Sequence, residues 1–289
     1  MKSVALAAMF LLAADDARVF ADAPVPVTVQ GVTAQLRVDP GAPTMPVFNP
    51  DFADRAKLDA GPFAIRAGIG PVRVNGRSAV VRLDFGAGEF RRRATWFAAP
   101  YAQGADGTIG PGGLPEARIR FDLHPVQPGE RSVTLPLTDF GYVGMGTEIK
   151  VGDAKVRILF TLARDRTIAT AAAGAAIAAA QDGRFAGAGE TMPIRLGVMR
   201  PVRVMTLGRP LGVGPLALER IFVRTGDFGS AASIPDMTAP EADPDEIVVT
   251  GAKKKGKQRS FLEIGRDALA GCSSILFDKP AKTVTLSCR

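Results

Sequence analysis

The residue types able to do chemistry are few. The chain holds 1 His and 2 Cys, which leaves little material for a His-based zinc cage, a His-dependent triad or an all-cysteine zinc site. No metal and no organic cofactor is implied. Carboxylates are the remaining reagents, and two of them share a setting. Asp39-Pro40-Gly41-Ala42 and Asp84-Phe85-Gly86-Ala87 each close an alternating apolar segment with an aspartate two residues before a glycine. An aspartate on such a loop can hold a water. It can activate that water if a second carboxylate shares its proton, because like charges split the two pKa values into a base and an acid. The ordinary alternative for both is an Asp in a β-turn before Gly.

The elements that must position these aspartates are written twice. Pro26–Ala42 (PVTVQGVTAQLRVDPGA) and Pro71–Ala87 (PVRVNGRSAVVRLDFGA) align without gaps. Each reads as strand, turn and strand, with turns at Gly31 and at Asn75-Gly76. A longer repeat lies over it. Asp106-Gly-Thr-Ile-Gly-Pro-Gly-Gly-Leu114, Ile119–Asp122 and Ser132–Leu135 recur in order as Phe261-Leu-Glu-Ile-Gly-Arg-Asp-Ala-Leu269, Ile275–Asp278 and Thr283–Leu286. The second half opens on a hairpin, Glu148 to Phe160, ending at Thr161 as the first ends at Asp39. Two related halves follow, 22–140 and 146–289. Ala169–Ala180, interrupted by Gly174, reads as a buried helix.

A strand hairpin ending in Asp-x-Gly-Ala, then a hydrophobic-Gly segment (Asp106-Gly-Thr-Ile-Gly-Pro), then a closing hairpin resembles the aspartic peptidases of the retropepsin and pepsin type. The resemblance implies an all-β fold of two β-barrel lobes with short helices, related by a pseudo-two-fold axis, with a peptide-binding cleft between them. It also implies a catalytic aspartate from each lobe. Asp39 is the candidate in lobe 1 and Asp84 the weaker one, because Asp106 follows Asp84 too closely to leave room for a flap and a helix. Gly41 and Thr161 fall on the cleft loops, as substrate-binding candidates.

The chain departs from the family pattern. Pro40 stands where the bracing hydroxyl belongs, and lobe 2 offers Thr161-Leu162-Ala163 in place of Asp-Thr-Gly. A threonine cannot serve as acid or base near neutral pH, and Asp165 lies four residues past the strand end. The expectation is an aspartic-peptidase-like protein of weak or no activity, or a non-catalytic relative that binds a peptide or an envelope protein. His124, Trp96 and Tyr101 read as structural.

The compartment follows from the ends. Lys2 precedes an apolar run, Val4–Ala14, too short to span a bilayer and suited to a signal peptide spanning 1–21. The alternative is a first buried element. Export, to a periplasm or beyond, makes the cysteines informative. A hairpin centred on Pro280 sets Cys272 opposite Cys288, so an oxidising compartment favours a bridge; two buried thiols are the alternative. Residues 236–260 read as a mobile insertion, acidic and then lysine-rich. Within it, Asp245–Gly251 resembles the short coupling box of TonB-dependent receptors, a strand able to join a partner's sheet; the alternative is a chance β-prone stretch. The net charge of +7 comes without a nucleic-acid-binding motif. No nucleic acid partner and no transmembrane segment is expected. Hydrophobic residues at 46% and charged residues at 22% exclude a chain disordered throughout.

Overall fold

The computed structural model describes residues 17–227, 229–237 and 260–289. After β1 (Arg18–Ala21) the first half runs β2 (Pro24–Val29), β3 (Val32–Val38), β4 (Val47–Phe48), α1 (Pro50–Arg55), β5 (Ile65–Ile69), β6 (Val72–Asp84), β7 (Glu89–Phe97), β8 (Gly107–Ile109), β9 (Arg118–Asp122) and β10 (Arg131–Pro136). After β11 (Thr138–Asp139) the second runs β12 (Met145–Val151), β13 (Ala154–Phe160), β14 (Ile168–Ala169), α2 (Ala171–Gln181), β15 (Arg184–Arg195), β16 (Val198–Val213), β17 (Leu216–Arg224), β18 (Phe261–Ile264), α3 (Arg266–Leu269), β19 (Cys272–Asp278) and β20 (Thr283–Cys288).

The element order repeats, and so does the pairing. β3 runs parallel to β8, as β13 does to β18. β4 lies between β7 and β8 with the same strand directions as β14 between β17 and β18. Lobe 1 closes into a barrel through a β2–β6 pairing that joins Thr28 to Asp84. Lobe 2 keeps the order in an eight-stranded sheet with no closing pair among the described residues. There α2 packs against β12, β16 and β17. Gly174 makes this possible, since a Cβ there would overlap the Val223 side chain. The buried helix expected over the alanine run is α2.

A third sheet takes strands from both halves in the order β1-β9-β19-β20-β10. Its inward residues Phe20, Ile119, Phe121, Ile275, Phe277, Val284 and Leu286 are buried, as the period-2 alternation requires. Arg18–Ala21 thus forms a parallel strand on β9 with Phe20 in the core, and cutting the chain after Ala21 would remove it.

Three local expectations change. The turn expected at Asn75-Gly76 sits at Gly70-Pro71, where Gly70 supplies φ +63°. β6 runs unbroken through Gly76, which is glycine because a Cβ would come within 2.6 Å of the Phe97 ring. The turn at Gln30-Gly31 is as expected, with both residues at positive φ. In the C-terminal hairpin, a bulge at Ser273 separates the Cys272–Cys288 pair from the register of Ser274 with Ser287. Of the 236–260 insertion, Asp236 and Met237 bond back to β15 or pair with Arg203. Residues 238–259, including the strand expected over 245–251, lie outside the described residues, as does the apolar run Val4–Ala14.

Candidate functional site

Asp39 and Thr161 are placed by the same device. Each follows the last residue of a strand, and its backbone N–H donates to a carbonyl of the neighbouring parallel strand. Asp39 donates to Ile109 (3.1 Å) and Thr161 to Ile264 (2.9 Å). The two strand-end loops meet at the contact between lobes. Gly41 permits the approach, because a Cβ there would stand 2.6 Å from the Phe160 carbonyl oxygen.

The Asp39 side chain is buried, and protein donors surround it. Its Oδ1 accepts from the Gly41 N–H (2.9 Å) and the Thr161 hydroxyl (3.0 Å). Its Oδ2 accepts from the Leu162 N–H (2.7 Å) and the Ala163 N–H (3.0 Å). A carboxylate offers about four lone-pair sites, so these donors saturate it. Three of the four come from lobe 2. Burial pushes the Asp39 carboxyl above the ordinary aspartate range, while these hydrogen bonds pull the other way. No neighbouring carboxylate contributes to that shift.

Asp84 lies elsewhere. It ends β6 at the β6–β7 turn, where its Oδ1 accepts from the N–H groups of Gly86 (2.7 Å) and Gly88 (3.2 Å) in an exposed setting. It does not face the cleft. Asp165 is also out on the surface, with its side chain 92% exposed.

A cavity of about 810 Å³ opens over Asp39 and Thr161. Its roof is the β15–β16 hairpin, from Thr191 to Gly197, and one wall is the Pro100–Gln103 loop. The loop is fixed by Asn49, whose amide donates to the carbonyls of Ala102 (2.7 Å) and Ala105 (2.8 Å) and accepts from the Tyr101 N–H (2.8 Å). Tyr101 is therefore a cavity residue, contrary to its purely structural reading in the sequence. The lobe-1 hairpin β5–β6 reaches the same roof. Ile69 and Phe97 form one apolar cluster with Met192, Ile194, Leu196 and Val202 of lobe 2.

The sequence reading also missed a charged group on the lobe-2 wall. Glu263 in β18 pairs with Arg195 (2.6 Å) and Arg164 (3.4 Å). Burial pushes its carboxyl up, but Arg195, Arg164 and Arg224 hold it below the usual glutamate range. Arg164 donates through Nη2 to the Ile194 carbonyl (2.8 Å) and so ties the roof hairpin to the wall. A signal for Glu263 was present. In the internal repeat it occupies the position that Thr108 holds in lobe 1, so a carboxylate replaces a hydroxyl on the strand next to the site.

Cys272 and Cys288 are joined in a disulfide across the last hairpin. Among the described residues no helix is long and apolar enough to cross a membrane.

The fold is all-β and two-lobed. No protein-family model matches the chain. Comparison with curated proteins also finds no match. Among solved structures, the chain is similar to the aspartic proteinase from Irpex lacteus. The likeness covers 91% of this chain and 93% of that one, at 11% identity and a TM-score of 0.43.

Proposed function

We propose that this chain is an exported aspartic-peptidase-like protein that binds peptide in the cleft between its lobes and cleaves it weakly or not at all. The observation that carries this reading is the saturation of Asp39. A catalytic carboxylate must share a water with a second one, yet both Asp39 oxygens already accept from Gly41, Thr161, Leu162 and Ala163. Lobe 2 offers the Thr161 hydroxyl at the position where a second aspartate would stand. Loss of one general acid or base costs about 10²–10⁴ in rate, and here the remaining group is also engaged. Asp39 acts in this reading as a pin between the lobes. The halves 22–140 and 146–289 form the cleft walls.

Export is supported by the apolar run at Val4–Ala14 and by the disulfide, which suits an oxidising compartment such as a periplasm. Because Phe20 is a core residue, processing belongs upstream of Arg18 and not after Ala21. Mass spectrometry of the mature protein tests this, and a terminus at Asp22 would refute it.

The activity test is a broad peptide library incubated with the purified protein from acid to mildly basic pH, beside Asp39→Ala and Asp84→Ala. Peptides should be retained but not cut above the Asp39→Ala background. Robust cleavage abolished by either change would overturn the reading.

A further inference from the structure

On the lobe-2 wall, two arginines share one carboxylate among the described residues. Arg164, Arg195 and Glu263 line the cavity. Outside the cavity lining, Asp227 pairs with Arg200 (3.2 Å) and with Arg224. All six side chains are mostly buried, from 1% exposed at Asp227 to 28% at Arg195. Among the described residues, Arg164 and Arg195 thus share the one carboxylate of Glu263. The acidic groups acting on Arg195 are Glu263 and Asp39, and Asp39 is saturated by its own donors. Excess charge of one sign in a poorly solvated wall is costly unless an anion completes it.

The four arginines are not equally available. Arg164 holds the carbonyls of Pro193 and Ile194. Arg200 and Arg224 are held by Asp227 and do not line the cavity. Arg195 differs. It ends β15, just before the Leu196-Gly197 turn, and it is the most exposed of the four. Its Nη2 donates to Glu263 (2.6 Å), while no described residue accepts from its remaining donors. Tyr101 comes from the opposite lobe and lines the same cavity as Arg195. Its hydroxyl makes no hydrogen bond to a described residue. A guanidinium edge and a phenol lining one cavity can together hold a planar carboxylate.

We propose that the cavity binds a peptide carboxylate between Arg195 and Tyr101, so that the cleft selects peptides by an acidic group. This rests on the peptide-binding reading, and it names the ligand chemistry that reading leaves open. The carboxylate has two sources, the C-terminus of a chain or an Asp or Glu side chain.

The test compares N-acetylated hexapeptides in three forms by calorimetry: a free C-terminal carboxylate, the C-terminal amide, and the amide carrying one internal Glu. One or both carboxylate forms should bind about tenfold tighter than the plain amide, and the form that does identifies the source. Arg195→Gln should abolish the preference. Arg195→Lys should restore part of it. Tyr101→Phe, which removes only the hydroxyl, should weaken it severalfold. Circular dichroism checks that each variant is folded. Equal binding of all three forms, or a preference that survives Arg195→Gln, would overturn the proposal. A thermal-shift series with glutarate against chloride separates the two readings. If no peptide binds, a glutarate stabilisation that is lost in Arg195→Gln and in Tyr101→Phe would keep the anion site while the peptide reading falls. Without that stabilisation, both fall.

Discussion

Asp39-Pro40-Gly41-Ala42 and Asp84-Phe85-Gly86-Ala87 share one side-chain bond, although Gly86 takes a positive φ and Gly41 does not. In each, Oδ1 accepts from the N–H of the glycine two residues on, at 2.9 Å for Asp39 and 2.7 Å for Asp84. Their environments are opposite. Asp84 faces solvent at the end of a long hairpin. Asp39 is enclosed, because the loop of the other lobe lays Thr161, Leu162 and Ala163 against it. The difference teaches that the turn motif is a local property, whereas a role between lobes is assigned by residues more than a hundred positions away.

The comparison can be broken by substitution. Asp39→Ala leaves the Leu162 and Gly41 N–H groups without their acceptor in a buried place, while the Ala163 N–H keeps the Thr161 hydroxyl oxygen at 3.2 Å. Orphaned buried donors cost about 1–3 kcal/mol each, with partial relief from entering water, so a loss of about 3–5 kcal/mol is expected in denaturant unfolding. The Cys272–Cys288 bridge provides a scale from elsewhere in the molecule. Its sequence separation of 16 makes Cys272→Ser with Cys288→Ser cost about 2–4 kcal/mol, measured the same way under non-reducing conditions.

The pH dependence sharpens the contrast. The folded Asp39 carboxyl titrates above its unfolded value, so the native state binds the proton more tightly. The resulting stabilisation is fully present below the ordinary aspartate range and is lost as pH rises through the folded value. A proton on Oδ1 has the Thr161 oxygen as acceptor, which keeps the three backbone bonds. The stability gap between wild type and Asp39→Ala should therefore narrow as pH rises from the acid range, in unfolding curves taken across pH. The smallest effect belongs to the other motif. Asp84→Ala removes an acceptor from N–H groups that water can reach, so it should change stability by about 0.5 kcal/mol or less.

Much of the fold was legible because it is written twice. Asp106–Leu114 and Phe261–Leu269 share Ile-Gly at equivalent places, and the structure sets both on strands parallel to the hairpin strand that ends at Asp39 or Thr161. The pairing of Asp39 with Thr161 could be read from that alignment. The saturation of Asp39 could not, since backbone N–H groups carry no sequence signature. The Asn75-Gly76 turn was misjudged because the glycine answers to Phe97 across the sheet and not to a turn. Tyr101 and Arg195 come to line one cavity only through the closure of two lobes, and neither has a local pattern that announces it.

A double-mutant cycle of Asp39 and Thr161 tests the central claim most directly. Unfolding free energies are measured for wild type, Asp39→Asn, Thr161→Val and the double variant. Asp39→Asn must turn its amide toward at least one backbone N–H, and Thr161→Val removes the hydroxyl while keeping the shape. If Asp39 pins the lobes, both single changes destabilise and the coupling between them is about 1 kcal/mol or more. A stable Asp39→Asn with no coupling to Thr161 would contradict the account, most severely if that variant had also lost a measurable peptidase activity.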